Sequence, residues 1–108
     1  YLNLKVIGYG CTSGSTIIGE KKVANIIGNI HPGVSVTNPL TAAKKALNVL
    51  NIRRLGLVTP YSPNVTKSME INFKQAGFNI TAVGSFFEED DKSSFSWGYR
   101  GKPKEPLG

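Results

Sequence analysis

The sequence predicts an α/β fold, a parallel sheet of about four strands with covering helices, and three observations carry that prediction. Short apolar runs alternate with longer segments whose apolar residues recur every three or four positions, the β-α-β-α-β-α-β order of a parallel sheet. The connections between them are only a few residues long. Two of the apolar runs end in polar turns rich in glycine or hydroxyl side chains, and strands of open α/β sheets lead into binding sites in this way. At 108 residues the chain suits one domain or a piece of one.

Leu2 to Gly8 reads as a buried strand. The turn Gly8-Tyr9-Gly10-Cys11-Thr12-Ser13-Gly14 follows it and opens a segment in which Ile17, Ile18, Val23, Ile26, Ile27 and Ile30 form a helical apolar face, with Gly19 placed to kink or split the helix. His31-Pro32-Gly33 ends that segment, and His31 reads as a turn residue. Val34 to Thr37 is a short strand. Asn38 and Pro39 begin the next helix, with proline at a favoured early position, and Leu40, Ala43, Leu47 and Leu50 share a face. Leu55 to Thr59 is the third strand, ending in Thr59-Pro60-Tyr61. Ser62 is an N-cap with Pro63 at the first helical position, Val65, Met69, Phe73 and Ala76 line one side, and Gly77 is the stop. Phe78 to Gly84 is the fourth strand. Right-handed crossovers then place the Cys11 and Tyr61 turns at one carboxyl edge of a three-layer flavodoxin-like or Rossmann-like sheet. Residues 1–91 form the α/β domain. Residues 92–108, rich in Gly, Pro and Ser and without a period, read as a disordered tail.

Composition narrows the function classes. The apolar content of 40% supports a core, and no apolar run approaches the length of a membrane span. The N-terminus shows no signal-peptide pattern, and a single cysteine fits a reduced compartment, so the expectation is a cytoplasmic protein without a membrane partner. One Cys and one His argue against a protein-held zinc or iron site. The net charge is +6, but its distribution is uneven: residues 1–87 hold nine basic and two acidic side chains, Glu88 to Asp91 contribute −4, and the rest of the chain returns +3. The basic residues come in scattered pairs without interleaved aromatics, which reads as solvated helix faces rather than a nucleic-acid surface. The acidic run reads as a solvated loop.

Gly8-x-Gly10-x-x-x-Gly14 approaches a dinucleotide fingerprint, but its third glycine comes one place late, and Val36-Thr37-Asn38 lacks the acid that would take a ribose hydroxyl. No Gly-Lys-Ser/Thr phosphate loop is present. Cys11 has two readings: a small buried residue at a strand end, or a thiolate whose pKa is lowered at the start of the following helix. The Thr12 and Ser13 hydroxyls favour the second, because they add donors around an anion. Tyr61 is either a packing residue or a phenol able to donate to a carboxylate or enolate.

Val6-x-x-Tyr9-Gly10-Cys11-Thr12-Ser13-Gly14-Ser15 with Ile18-Gly19-Glu20, then Val36-Thr37-Asn38-Pro39-Leu40-Thr41-Ala42-Ala43 and Leu57-Val58-Thr59-Pro60-Tyr61, resembles the maleate cis–trans isomerase and arylmalonate decarboxylase branch of the aspartate/glutamate racemase superfamily. The resemblance continues through Gly84-Ser85-Phe86 to about Asp91. It implies two similar α/β lobes with an active site between them and a cysteine from each, working without a cofactor on a small carboxylate. Residues 1–54 would be the end of lobe one and 55–91 the start of lobe two. Cys11 would be the first-lobe nucleophile or base, and Thr12, Ser13 and Tyr61 would hold a substrate carboxylate and stabilise enediolate-like charge. The decarboxylases carry glycine at the Cys11 position, which argues for isomerase or racemase chemistry over decarboxylation. The family chain is more than twice as long, and its opening strand and second cysteine have no counterpart here. The expectation is therefore an incomplete member, either catalytic or a non-catalytic fragment with a partial carboxylate pocket, and prone to self-association through exposed sheet edges.

Overall fold

The computed structural model describes residues 3–89 and 92–99. The chain is α/β, as expected, and divides into two units, Tyr1–Leu50 and Asn51–Gly108. Each carries its own sheet, which corrects the expectation of one sheet of about four strands. The Cys11 and Tyr61 turns therefore follow strands of different sheets and do not share one sheet edge.

The first unit contains β1 (Val6–Gly8), α1 (Thr12–Ile18), α2 (Glu20–Ile30), β2 (Ser35–Thr37) and α3 (Pro39–Val49). β1 and β2 pair in parallel, Val6 opposite Ser35 and Gly8 opposite Thr37. The ladder is extended by Ser35 N–H donating to the Lys5 carbonyl at 3.0 Å and Tyr9 N–H to the Thr37 carbonyl at 2.9 Å. β1 is shorter than the Leu2 to Gly8 run and is not buried: Val6 is 57% exposed. Gly19, at φ 99°, is at once the end cap of α1 and the start cap of α2, so the glycine splits the helix. Of the expected apolar face, Val23 is buried, whereas Ile17, Ile18, Ile26 and Ile30 are exposed. Asn38 caps α3, its side chain accepting the Thr41 N–H at 2.9 Å, with Pro39 at the first position. Thr41 Oγ1 donates to Glu20 Oε1 at 2.6 Å, and Lys44 Nζ to Glu20 Oε2 at 2.7 Å, tying the first turn of α2 to α3.

The second unit contains β3 (Arg54–Thr59), α4 (Pro63–Gln75), β4 (Asn79–Glu89) and β5 (Lys92–Tyr99). β3 and β4 are parallel, with a register shift between Leu55 and Gly56, while β4 and β5 are antiparallel. Lys92–Tyr99 is thus a strand, where the sequence reads a disordered tail from residue 92. Phe95, Trp97 and Tyr99 alternate with Ser96 and Gly98, a strand period set inside a stretch whose Gly and Ser content masks it. Likewise Glu88 and Glu89, read as loop, end β4; Asp90, Asp91 and the tail over residues 100–108 lie outside the described residues. Met69 and Phe73 from α4 are buried, as are Phe78, Ile80, Ala82 and Val83 around and along β4. Phe73 and Phe78 meet edge to face at 5.9 Å, and the Arg53 guanidinium lies 5.6 Å from the centre of the Phe78 ring. Gly77, at φ 95°, makes the stop after α4. No helix among the described residues is long and apolar enough to cross a membrane.

Candidate functional site

Cys11 stands between β1 and α1. Its backbone is extended (φ −130°, ψ 111°), and it serves as the N-cap of α1, its sulfur accepting the Gly14 N–H at 3.2 Å. Sulfur is an unusual cap acceptor, and a thiolate accepts far better than a thiol. The Ser13 hydroxyl lies 3.7 Å from Sγ. Ser15 is fully buried, and both its hydroxyl (2.7 Å) and its N–H (3.0 Å) donate to the Cys11 carbonyl, so the backbone carrying the thiol is anchored from below. Thr12 opens α1, and its carbonyl accepts the Thr16 hydroxyl at 2.9 Å. Cys11, Thr12 and Ser13 are all half-buried, and this one turn brings the three together.

The groups around the sulfur favour its charged form. The Gly14 N–H, then the Ser13 hydroxyl, hold the Cys11 thiol below its ordinary value; burial opposes them, and the Tyr9 phenol and Ser13 N–H add to the lowering. Tyr9 responds in the opposite sense. The negative charge on Cys11 raises its pKa first, with burial and the hydrogen bond to Cys11 contributing further, so the phenol keeps its proton.

Two residues at this turn escaped the sequence reading. A Cβ at Gly14 would fall onto the Tyr9 hydroxyl and come within 3.0 Å of Cys11 Sγ, so both atoms occupy the space that glycine leaves open. Glycine is required at Gly14 by this crowding, not by a turn conformation. For Tyr9 the sequence does carry a signal: residues two apart on an extended segment face the same way, and Tyr9 and Cys11 are so spaced.

Tyr61 lies in the second unit, at the turn between β3 and α4. Its carbonyl accepts two hydroxyls, Ser85 Oγ at 2.6 Å and Thr66 Oγ1 at 3.3 Å, while its N–H donates to Thr59 Oγ1 at 3.3 Å. Thr59 and Thr66 hydroxyls meet at 2.6 Å, and Thr59, Thr66 and Ser85 are all buried. Ser62 caps α4 by accepting the Val65 N–H at 3.4 Å. The Tyr61 ring is half-buried, so its backbone is fixed while part of the side chain meets solvent. Ser85 and Thr66, some twenty residues apart in sequence, carried no signal of a shared partner. His31 ends α2 as its cap and is exposed, as a turn residue would be.

Neither a family model nor a curated protein matches the sequence. Among solved structures, the crystal structure of the maleate isomerase Iso from Pseudomonas putida S16 is similar, with a TM-score of 0.57 and 20% sequence identity. The likeness covers 82% of this chain and 37% of that one, and at this identity it is a likeness of fold.

Proposed function

Proceeding from a fold similar to part of a maleate isomerase, we propose that this chain is the thiol-bearing portion of a cofactor-independent isomerase or racemase acting on small carboxylates, of the maleate cis–trans isomerase type. This reading puts it in the aspartate/glutamate racemase superfamily and in the cytoplasm. The observation that carries it is the Cys11 sulfur, half-exposed at a strand-to-helix turn and taking a backbone N–H at 3.2 Å, an arrangement that suits a thiolate.

The Cys11 thiolate attacks one alkene carbon of a cis-dicarboxylate. A sulfur–carbon bond forms, and the π pair moves to the neighbouring carbon, where it is delocalised into the adjoining carboxylate as enediolate-like charge. The central bond, now single, rotates. The pair returns to rebuild the double bond as the carbon–sulfur bond breaks, and the thiolate leaves. Thr12 and Ser13 donate to the substrate carboxylate beside the thiolate.

Incubating the purified chain with maleate and following fumarate tests this. Turnover that disappears in Cys11→Ala is the expected result, whereas turnover that survives the substitution would overturn the role of the thiol. A second reading is a carboxylate-binding unit without turnover. It is favoured by the presence of a single cysteine among these 108 residues. Calorimetric binding of maleate with no fumarate formed would support it, and robust Cys11-dependent turnover would remove it.

A further inference from the structure

The Tyr9 phenol has no task in the chemistry above, yet it occupies the most constrained space at the turn. Its backbone is pinned by the Tyr9 N–H bond to the Thr37 carbonyl, which continues the β1–β2 ladder one residue past β1. Its ring is half-buried, and its hydroxyl lies over Gly14 beside the Cys11 sulfur, in the volume a Cβ would take. The sulfur is approached from the helix side by Gly14 N–H and Ser13, and from the strand side by this hydroxyl.

We propose that Tyr9 is a positioning residue for Cys11: its phenol donates a hydrogen bond to Sγ and, with the Gly14 N–H, fixes the direction in which the thiolate faces its substrate. The assignment rests on Cys11 being the reactive group of the proposed isomerase. Because the neighbouring negative charge keeps the phenol protonated, Tyr9 acts as a donor and not as a competing anion. Among the described residues, the groups acting on the sulfur are the N–H groups of Gly14 and Ser13, the Ser13 hydroxyl and the Tyr9 phenol, with no acidic or basic side chain among them. Gly14 then has a second reason to be glycine. Any side chain there would separate the phenol from the sulfur.

Cys11 is the single cysteine, so its alkylation by iodoacetamide reports on one atom; Sγ displaces iodide and no turnover is needed. The rate is to be measured against pH for the folded chain, for Tyr9→Phe and for both in denaturant. In the folded wild type the midpoint should lie below that of the denatured chain, and Tyr9→Phe should move it upward by about half a pH unit or more while the denatured profiles coincide. Superimposable folded profiles would overturn the proposal. Should Tyr9→Phe fail to fold, the wild type still decides it. With tyrosines labelled at Cζ, the Tyr9 resonance should titrate above the ordinary tyrosine value of 10.0, and its midpoint should fall in Cys11→Ala. No tyrosine responding to Cys11→Ala would overturn the pairing. A Tyr9-dependent thiol profile in a chain that forms no fumarate would remove the isomerase reading and leave the Tyr9–Cys11 pairing standing.

Discussion

The two strand-to-helix turns are built from the same materials and use them differently. At the Tyr61 turn, three buried hydroxyl residues converge on the backbone of one residue: Thr66 and Ser85 donate to the Tyr61 carbonyl, and Thr59 accepts its N–H. At the Cys11 turn, only Ser15 is fully buried and bonded to the backbone, while Ser13, Gly14 and Tyr9 gather round a sulfur atom. The supporting cores differ in the same sense. The second unit buries Met69, Phe73, Phe78, Ile80 and Val83, whereas the first buries Val23 and Leu40 beneath strands of three residues. One turn is set by tertiary packing and the other by its own local bonds. A reactive thiolate suits the second arrangement, since it must stay half-exposed and hold its charge through donors that are already in place.

The largest effect is expected at Phe73, which is buried against Phe78. Phe73→Ala should cost about 3–5 kcal/mol in urea unfolding, because it removes a ring and leaves a cavity. A loss below about 1 kcal/mol would break the claim that packing sets the second unit's turn. Thr66→Val keeps shape but strips the donor to the Tyr61 carbonyl and the partner of Thr59; a cost of about 1–3 kcal/mol is expected for disrupting bonds among buried groups. The matching change at the other turn, Ser13→Ala, should move stability by less than about 0.5 kcal/mol, since Ser13 is half-exposed and contacts a sulfur. Equal costs would erase the contrast.

The smallest effect is in pH. The Cys11 thiol titrates below its ordinary value of 9.0 in the folded chain, so between that lowered value and 9.0 the unfolded chain holds a proton that the folded chain lacks. Stability should therefore rise with pH across that window. The contribution is complete above 9.0 and is lost as pH falls through the lowered value. Urea titrations at stepped pH, wild type against Cys11→Ala, check this, and a difference that falls with rising pH would contradict it.

Helix limits were the most legible part of the fold. Asn38 with Pro39, Ser62 with Pro63, and Gly77 each act within a few residues of themselves, so their caps and stops follow from chemistry that distant contacts do not alter. Gly19 split its helix for the same reason. The Cys11-Thr12-Ser13 cluster was equally readable, since a single turn contains it. Strand extents were not. β1 came out shorter than its apolar run, and β4 and β5 longer than any apolar pattern in them, because a strand's length depends on where its partner ends.

By itself, then, the sequence determined the α/β order, the helix boundaries and the thiol at a strand-to-helix turn, all of which arise from interactions between near neighbours along the chain. The tertiary structure alone decided that the strands form two sheets, that Lys92–Tyr99 pairs with β4, and that Ser85 and Thr66 converge on the Tyr61 carbonyl. These are matters of which groups meet across the fold, and spacing along the chain carries no measure of that distance.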